Sequence, residues 1–213
     1  MHIALIGATG FVGTALLNEL LQRGHRVTAL ARDPAKLPLR EGLTVVQANA
    51  TDAAQVAQAV RGVDAVASAY NPGWTHPDLH DEFLRGSRAI TAGVKAAGVQ
   101  RLLVVGGAGS LYVAPGVQLV DTPQFPAEWK NGALAAREAL NLLRKESTLQ
   151  WTFLSPAILL EPGERTGHYR LGTESPLMNG DQPGKISVAD LAVAIVDELE
   201  APRHLQQRFT VAY

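Results

Sequence analysis

The sequence predicts a doubly wound parallel α/β sheet, and three observations carry that prediction. Short runs rich in valine, leucine, isoleucine and alanine alternate with stretches of helical character along the whole chain, the pattern of repeated strand-helix-strand units. Gly24, Gly62 and Gly98 each follow a helical stretch, where a left-handed cap favours glycine. The first apolar run breaks into "GATGFVG" and passes straight into a helix, the entry expected of the first such unit.

Taken in order, a strand is expected over 2–6, a helix over 11–23 and a second strand over 26–31. A strand over 44–47 and a helix over 52–60 follow, then a strand over 65–69, the long helix over 79–97 and a strand over 102–105. The second half holds a helix over 127–145, a strand over 152–154, a helix over 188–200 and a closing strand over 208–211. Ser187 and Asp190 stand at capping-box spacing at the start of that last helix. Three stretches resist assignment, 71–77, 106–126 and 161–184, the last with a short strand signal at 168–171. Each follows the carboxyl end of a strand, where open α/β sheets place their ligands, so these loops are expected to form the site. The whole chain, 1–213, reads as one domain, with 157–187 as a substrate-side appendage.

Composition narrows the function classes. With 213 residues, 46% of them hydrophobic, the chain can bury one sizeable core. A net charge of −1 supplies no basic field for a nucleic-acid backbone, so the expected partner is a small molecule. The absence of cysteine removes disulfides, thiolate metal sites and cysteine nucleophiles. No apolar run reaches the length of a membrane span and no leader is evident before the first strand, so a cytoplasmic monomer or homodimer is expected.

Gly7, Gly10 and Gly13 have the spacing G-x-x-G-x-x-G between strand and helix. The first permits a tight turn, the second lets the backbone approach a pyrophosphate, and the third lets helix and strand pack closely. Beside Thr9 in this loop, the amides of Phe11 and Val12 are expected to point at the phosphates from a helix N-terminus, whose dipole favours an anion. The residue ending the second strand discriminates the ribose. Arg32 there accommodates a 2′-phosphate and favours NADP(H), whereas Asp33 beside it suits the free ribose of NAD(H).

With "GATGFVG" followed by "ARDP", "SAYNPG", "VVGGAGSL" and "RTGHYRLG", the chain resembles the atypical short-chain dehydrogenase/reductase group of NAD(P)H-binding proteins, which includes biliverdin-IXβ/flavin reductase-like and NmrA-like members. The resemblance covers essentially the whole chain. It implies a Rossmann-type core, NADP(H) in the crevice at the strand ends and a small C-terminal substrate region. It further implies that Asn49 and Ala50 flank the adenine, and that Ala69, Tyr70 and Asn71 pass under the nicotinamide ribose. Asn49 stands where the family often has aspartate, and its side-chain carbonyl is expected to accept from the adenine amino group.

Many enzymes of that superfamily carry a tyrosine followed four residues later by a lysine, which lowers the tyrosine pKa for proton transfer. Aligning Glu138 with the acidic residue that often follows puts Lys130 at the tyrosine and Leu134 at the lysine, so the pair is absent. The assisting serine is displaced as well: Gly106, Gly107 and Ala108 occupy its place and Ser110 lies a step further on. Ser110 and Lys130 remain as catalytic candidates, while Tyr112 and Tyr169 have no neighbouring base to activate them. Trp74, Phe125 and Trp129 offer flat apolar walls, and Arg165 and His168 complete the expected substrate pocket. His76, His80 and Asp81 have no evident further ligand, and no metal is expected.

The function expected is NADPH-dependent hydride transfer to a planar acceptor of flavin, quinone or tetrapyrrole type, which needs alignment more than a protein acid. A non-catalytic NADP(H)-binding sensor is the alternative from another class, and a nucleotide-sugar epimerase or dehydratase ranks third.

Overall fold

An eight-stranded sheet runs through the computed structural model, which describes residues 1–213. Its first five strands are β1 (His2–Ile6), β2 (Arg26–Ala31), β3 (Leu43–Gln47), β4 (Ala65–Ser68) and β5 (Arg101–Val105). From one edge the order is β3, β2, β1, β4, β5, then the strands Gln150–Ser155, Gln207–Ala212 and Arg170–Gly172. Every pairing is parallel except the last, where Arg170–Gly172 lies antiparallel on Gln207–Ala212. The order reverses between β1 and β4, which opens a crevice at their carboxyl ends.

Parallel strands covered on both faces must be apolar on both, and all four residues of β4 and four of five in β1 are buried. Helices α1 (Phe11–Gln22) and α5 (Val188–Glu200) cover one face; Leu16, Leu20, Leu191 and Ile195 are fully buried there. The other face carries α2 (Ala53–Ala59), α3 (Leu79–Ala96) and α4 (Ala127–Leu143), with Val56, Ile90, Val94 and Leu140 packed around Phe153. Asp52, expected as the first residue of its helix, instead caps α2: its backbone is extended and its carboxylate accepts from the amides of Ala54 and Gln55. Ser187 caps α5 by accepting from the amide of Asp190 at 2.9 Å.

The unassigned stretches hold short elements that local periodicity cannot signal. Residues 106–126 contain helical turns at Ala108–Ser110 and Leu119–Asp121 and a ribbon of Tyr112–Ala114 with Val117–Gln118. The signal at 168–171 corresponds to the edge strand Arg170–Gly172. Around it, Leu159–Glu161 runs parallel to Lys185–Ser187, and Met178–Asn179 pairs with Gln182–Pro183. No helix is long and apolar enough to cross a membrane.

Candidate functional site

The glycine loop lies at the β1 end of the crevice, and its three glycines do different work. Gly7 has φ +86°, and a Cβ there would also strike the Ala69 carbonyl, so β1 and β4 close together only around glycine. At Gly13 a Cβ would overlap the Gly7 carbonyl. Gly10 has room on its outer side: a Cβ would find only the Gly7 carbonyl, at 3.3 Å. The amide of Gly10 donates to that same carbonyl at 3.0 Å, and α1 starts at the next residue with no side-chain cap. The first-turn amides, including those of Phe11, Val12 and Gly13, are therefore free to hold an anion. Thr9 and Phe11 are exposed beside them, while Val12 packs on the core.

The end of β2 separates its two ribose candidates. One oxygen of the Asp33 carboxylate caps the turn Pro34–Lys36, accepting from the Ala35 amide at 3.2 Å. Arg32 is exposed and its guanidinium makes no hydrogen bond or ion pair, only its carbonyl accepting from Gln47 at 3.3 Å. At the adenine end the expectation for Asn49 needs correction. Its side-chain carbonyl already accepts from the amide and hydroxyl of Thr51, at 3.1 and 3.0 Å, which occupies both lone pairs. What Asn49 can still offer is its side-chain NH₂ group, next to the half-buried Ala50.

Across the crevice, the segment after β4 presents main chain rather than the tyrosine side chain. The Ala69 amide donates to Ile6 at 2.9 Å, and the Asn71 side chain accepts from Gly73 at 2.8 Å. Tyr70 turns inward, its ring 6.1 Å from that of Phe83 and its hydroxyl donating to the Glu82 carbonyl at 3.2 Å. Gly86 makes the room, since a Cβ there would overlap the ring. Burial pushes the Tyr70 phenol up to about 12; the Glu82 carboxylate adds to the rise, while Arg32 and Arg85 oppose it. With its side chain turned inward, Tyr70 faces the crevice with its backbone.

Ser110 is corrected outright. It is buried, its hydroxyl accepts from Arg208 at 2.9 Å, and its carbonyl accepts from Arg208 and from the Gln118 side chain at 2.9 and 3.0 Å. It fastens the loop after β5 to the closing strand and reaches no reactant. Arg208, fully buried and also paired with Glu174, is a loop-holding residue that no local sequence signal marks, because its partner Ser110 is 98 positions away. Tyr169 is likewise engaged: its hydroxyl donates to Asp197, and burial together with that carboxylate holds the phenol well above its ordinary range. Lys130 stands exposed and unpaired on the first turn of α4.

Two of the expected wall residues come together. The rings of Trp74 and Trp129 lie 6.2 Å apart, tilted by 37°, and remain 60% and 55% exposed. Gly132 admits Trp74 to the α4 surface, and Phe125 lies beside Gly109 at the same end of the helix. Arg165 and His168 do not join them. Arg165 makes a two-pronged pair with Glu19 at 2.7 and 2.9 Å, and the amides of Thr166 and Gly167 donate to Asp190 at 2.9 and 2.7 Å. That segment is thereby strapped to α1 and α5, on the opposite face from α4, which corrects its assignment to the pocket. His168 is exposed on the strap. His80 meets only Asp81 and Glu138, at 2.9 and 3.8 Å.

The model of the NAD(P)H-binding family matches residues 7–202. The chain belongs to that family. The uncharacterised protein YwnB of Bacillus subtilis is 40% identical over 216 residues, covering 99% of this chain and 98% of that one. A candidate epimerase from Bacteroides thetaiotaomicron is 46% identical with TM-score 0.93, over 100% of this chain and 96% of that one. A candidate NADH-flavin reductase from Streptococcus pneumoniae is 36% identical with TM-score 0.87, over 100% and 99%. The bare first turn of α1 and the open side of Gly10 fit the dinucleotide that the family name implies.

Proposed function

We infer that this NAD(P)H-binding protein is an NADPH-dependent reductase that passes hydride to a planar, redox-active acceptor of flavin, quinone or tetrapyrrole type. The observation that carries the reading is the pair Trp74 and Trp129, two exposed rings at the N-terminal end of α4 where the superfamily tyrosine and lysine are replaced by Lys130 and Leu134. A flat acceptor is matched by an aromatic wall, and an acceptor of this kind takes its proton from water. Arg32, whose exposed guanidinium has no partner in the fold, favours the 2′-phosphate form of the cofactor. The Streptococcus protein supports the reaction type, although its name gives NADH.

When bound, the nicotinamide supplies the hydride. The chain's own contribution is binding and alignment. The α1 amides and the open side of Gly10 hold the pyrophosphate, Arg32 the 2′-phosphate, and the backbone at Ala69–Asn71 the nicotinamide ribose, while Trp74, Trp129 and Phe125 stack the acceptor. An epimerase reading has the name of the Bacteroides relative in its favour, but nucleotide-sugar chemistry needs the tyrosine acid that Lys130 replaces. A screen of NADPH oxidation against flavins, quinones and linear tetrapyrroles tests the proposal: turnover is expected with at least one class. Tight NADPH binding without turnover on any of them would favour a sensor instead.

A further inference from the structure

A cavity of about 350 Å³ opens between α3 and α4 and backs onto the carboxyl end of β4 at Ser68. Its walls are apolar, with Phe83 and Ile90 from α3 facing Leu142 of α4, and its floor is Ser68 and the inward-turned Tyr70. Ser87 and Thr91 also face it, but their hydroxyls donate back to the carbonyls of Phe83 and Ser87, at 2.9 and 3.0 Å. The walls therefore offer a ligand almost no donor.

The donors are at the rim. Arg88, Lys95 and Lys145 stand there against a single carboxylate, Glu146. Glu146 is already engaged by Lys95 at 2.7 Å and by the amide and hydroxyl of Thr148 at 2.7 and 2.6 Å. Lys145 has no partner, and Arg88 only reaches Glu138, at 3.6 Å. An apolar interior below a rim with one unpaired cation, Lys145, and a second, Arg88, only loosely paired is complementary to a molecule with an alkyl body and an anionic head.

We propose that this cavity is a second ligand site, for a small amphiphilic carboxylate, which the Tyr70 side chain walls off from the dinucleotide crevice on its backbone side. Its volume falls in the range of ligand pockets, about 300–1,000 Å³. Lys145 lies roughly 20 Å from Lys130 along the α4 direction, at about 1.5 Å per residue, so the rim is remote from the tryptophan wall. The site does not depend on the hydride acceptor.

Titration calorimetry of the whole protein with octanoate, with octan-1-ol as the neutral control, tests it. The expected result is one octanoate per chain, bound equally in the presence of saturating NADP⁺. Octan-1-ol is expected to bind more weakly, and the double variant Arg88→Gln/Lys145→Gln to weaken octanoate by about fivefold or more. Leu142→Trp, which fills the cavity, is expected to abolish binding. Should that variant fail to fold, the double variant decides, since both of its side chains are exposed. Absence of stoichiometric binding, equal affinity for acid and alcohol, an unchanged double variant, or displacement by NADP⁺ would each overturn the proposal.

Discussion

Gly13 rests so closely on the main chain of Gly7 that a Cβ would overlap the Gly7 carbonyl, whereas Gly10 between them has only that carbonyl within 4 Å, at 3.3 Å. Two glycines of one motif thus separate folding from binding. Gly13→Ala is expected to cost about 1–3 kcal/mol or more of stability, because helix and strand must move apart. Gly10→Val, at φ −85°, is expected to remain folded and to lose dinucleotide binding. Thermal unfolding and cofactor titration of both variants check this; normal cofactor affinity in folded Gly10→Val would place the phosphates elsewhere.

Arg32 offers an unpaired guanidinium at the end of β2. Arg32→Ala is expected to remove about 1.5–3 kcal/mol of NADPH binding and to leave NADH nearly unchanged, as loss of a charge-assisted contact to a 2′-phosphate requires. Titrating both cofactors against both proteins is the measurement. Equal affinities in the parent chain would refute the preference.

Proton supply gives a third prediction. Tyr169 is spent on Asp197 and Lys130 has no tuning partner, so turnover is expected to rest on alignment rather than on a titrating side chain. Tyr169→Phe and Tyr112→Phe are expected to keep turnover within roughly tenfold, against the ~10²–10⁴ loss on removing a general acid. Lys130→Ala is expected to change acceptor binding more than turnover. Rates at saturating NADPH decide, and a collapse in one variant with cofactor affinity intact would reveal a replacement acid.

A buried ion pair ties α5 to β5. Arg101 and Glu198 lie 3.1 Å apart with side chains 7% and 4% exposed, and His204 adds a contact to Glu198 at 2.8 Å. Glu198→Ala strands the Arg101 charge, which is expected to cost about 3–5 kcal/mol. Chemical denaturation measures it, and a loss below about 1 kcal/mol would mean that water reaches Arg101.

Acid is expected to loosen the strap and the α3–α4 edge. The hydrogen bond from Lys95, with those from Thr148, holds the Glu146 carboxyl down at about 2, from an ordinary 4.5. The Arg165 hydrogen bond, with help from Arg23, lowers Glu19 despite burial. At Asp190 burial opposes ionisation, but hydrogen bonds from Thr166, Tyr213 and the Gly167 amide outweigh it and lower the pKa. Carboxyls whose folded pKa is depressed contribute stability that is present above their unfolded pKa and is lost as pH falls through the folded one. Stability is therefore expected to be flat near neutrality and to fall from about pH 4.5 towards pH 2, a limb that Glu146→Gln and Glu19→Gln make shallower. An unfolding midpoint independent of pH over that window would contradict the assignment.

Much of this protein is written locally. The strand and helix alternation, the glycine spacing and the Ser187 cap depend on neighbours within a few positions, which is why the parallel sheet is legible in the sequence. What only the tertiary structure decided is where polar side chains spend their hydrogen bonds. Ser110 is claimed by Arg208, Arg165 by Glu19 at a separation of 146 residues, Tyr70 by the α3 backbone and the Asn49 carbonyl by Thr51. Except for that last local turn, these partners come from segments distant in the chain. A side chain satisfied by such a partner inside the fold is no longer free for a ligand, and no local pattern records which partner it will meet.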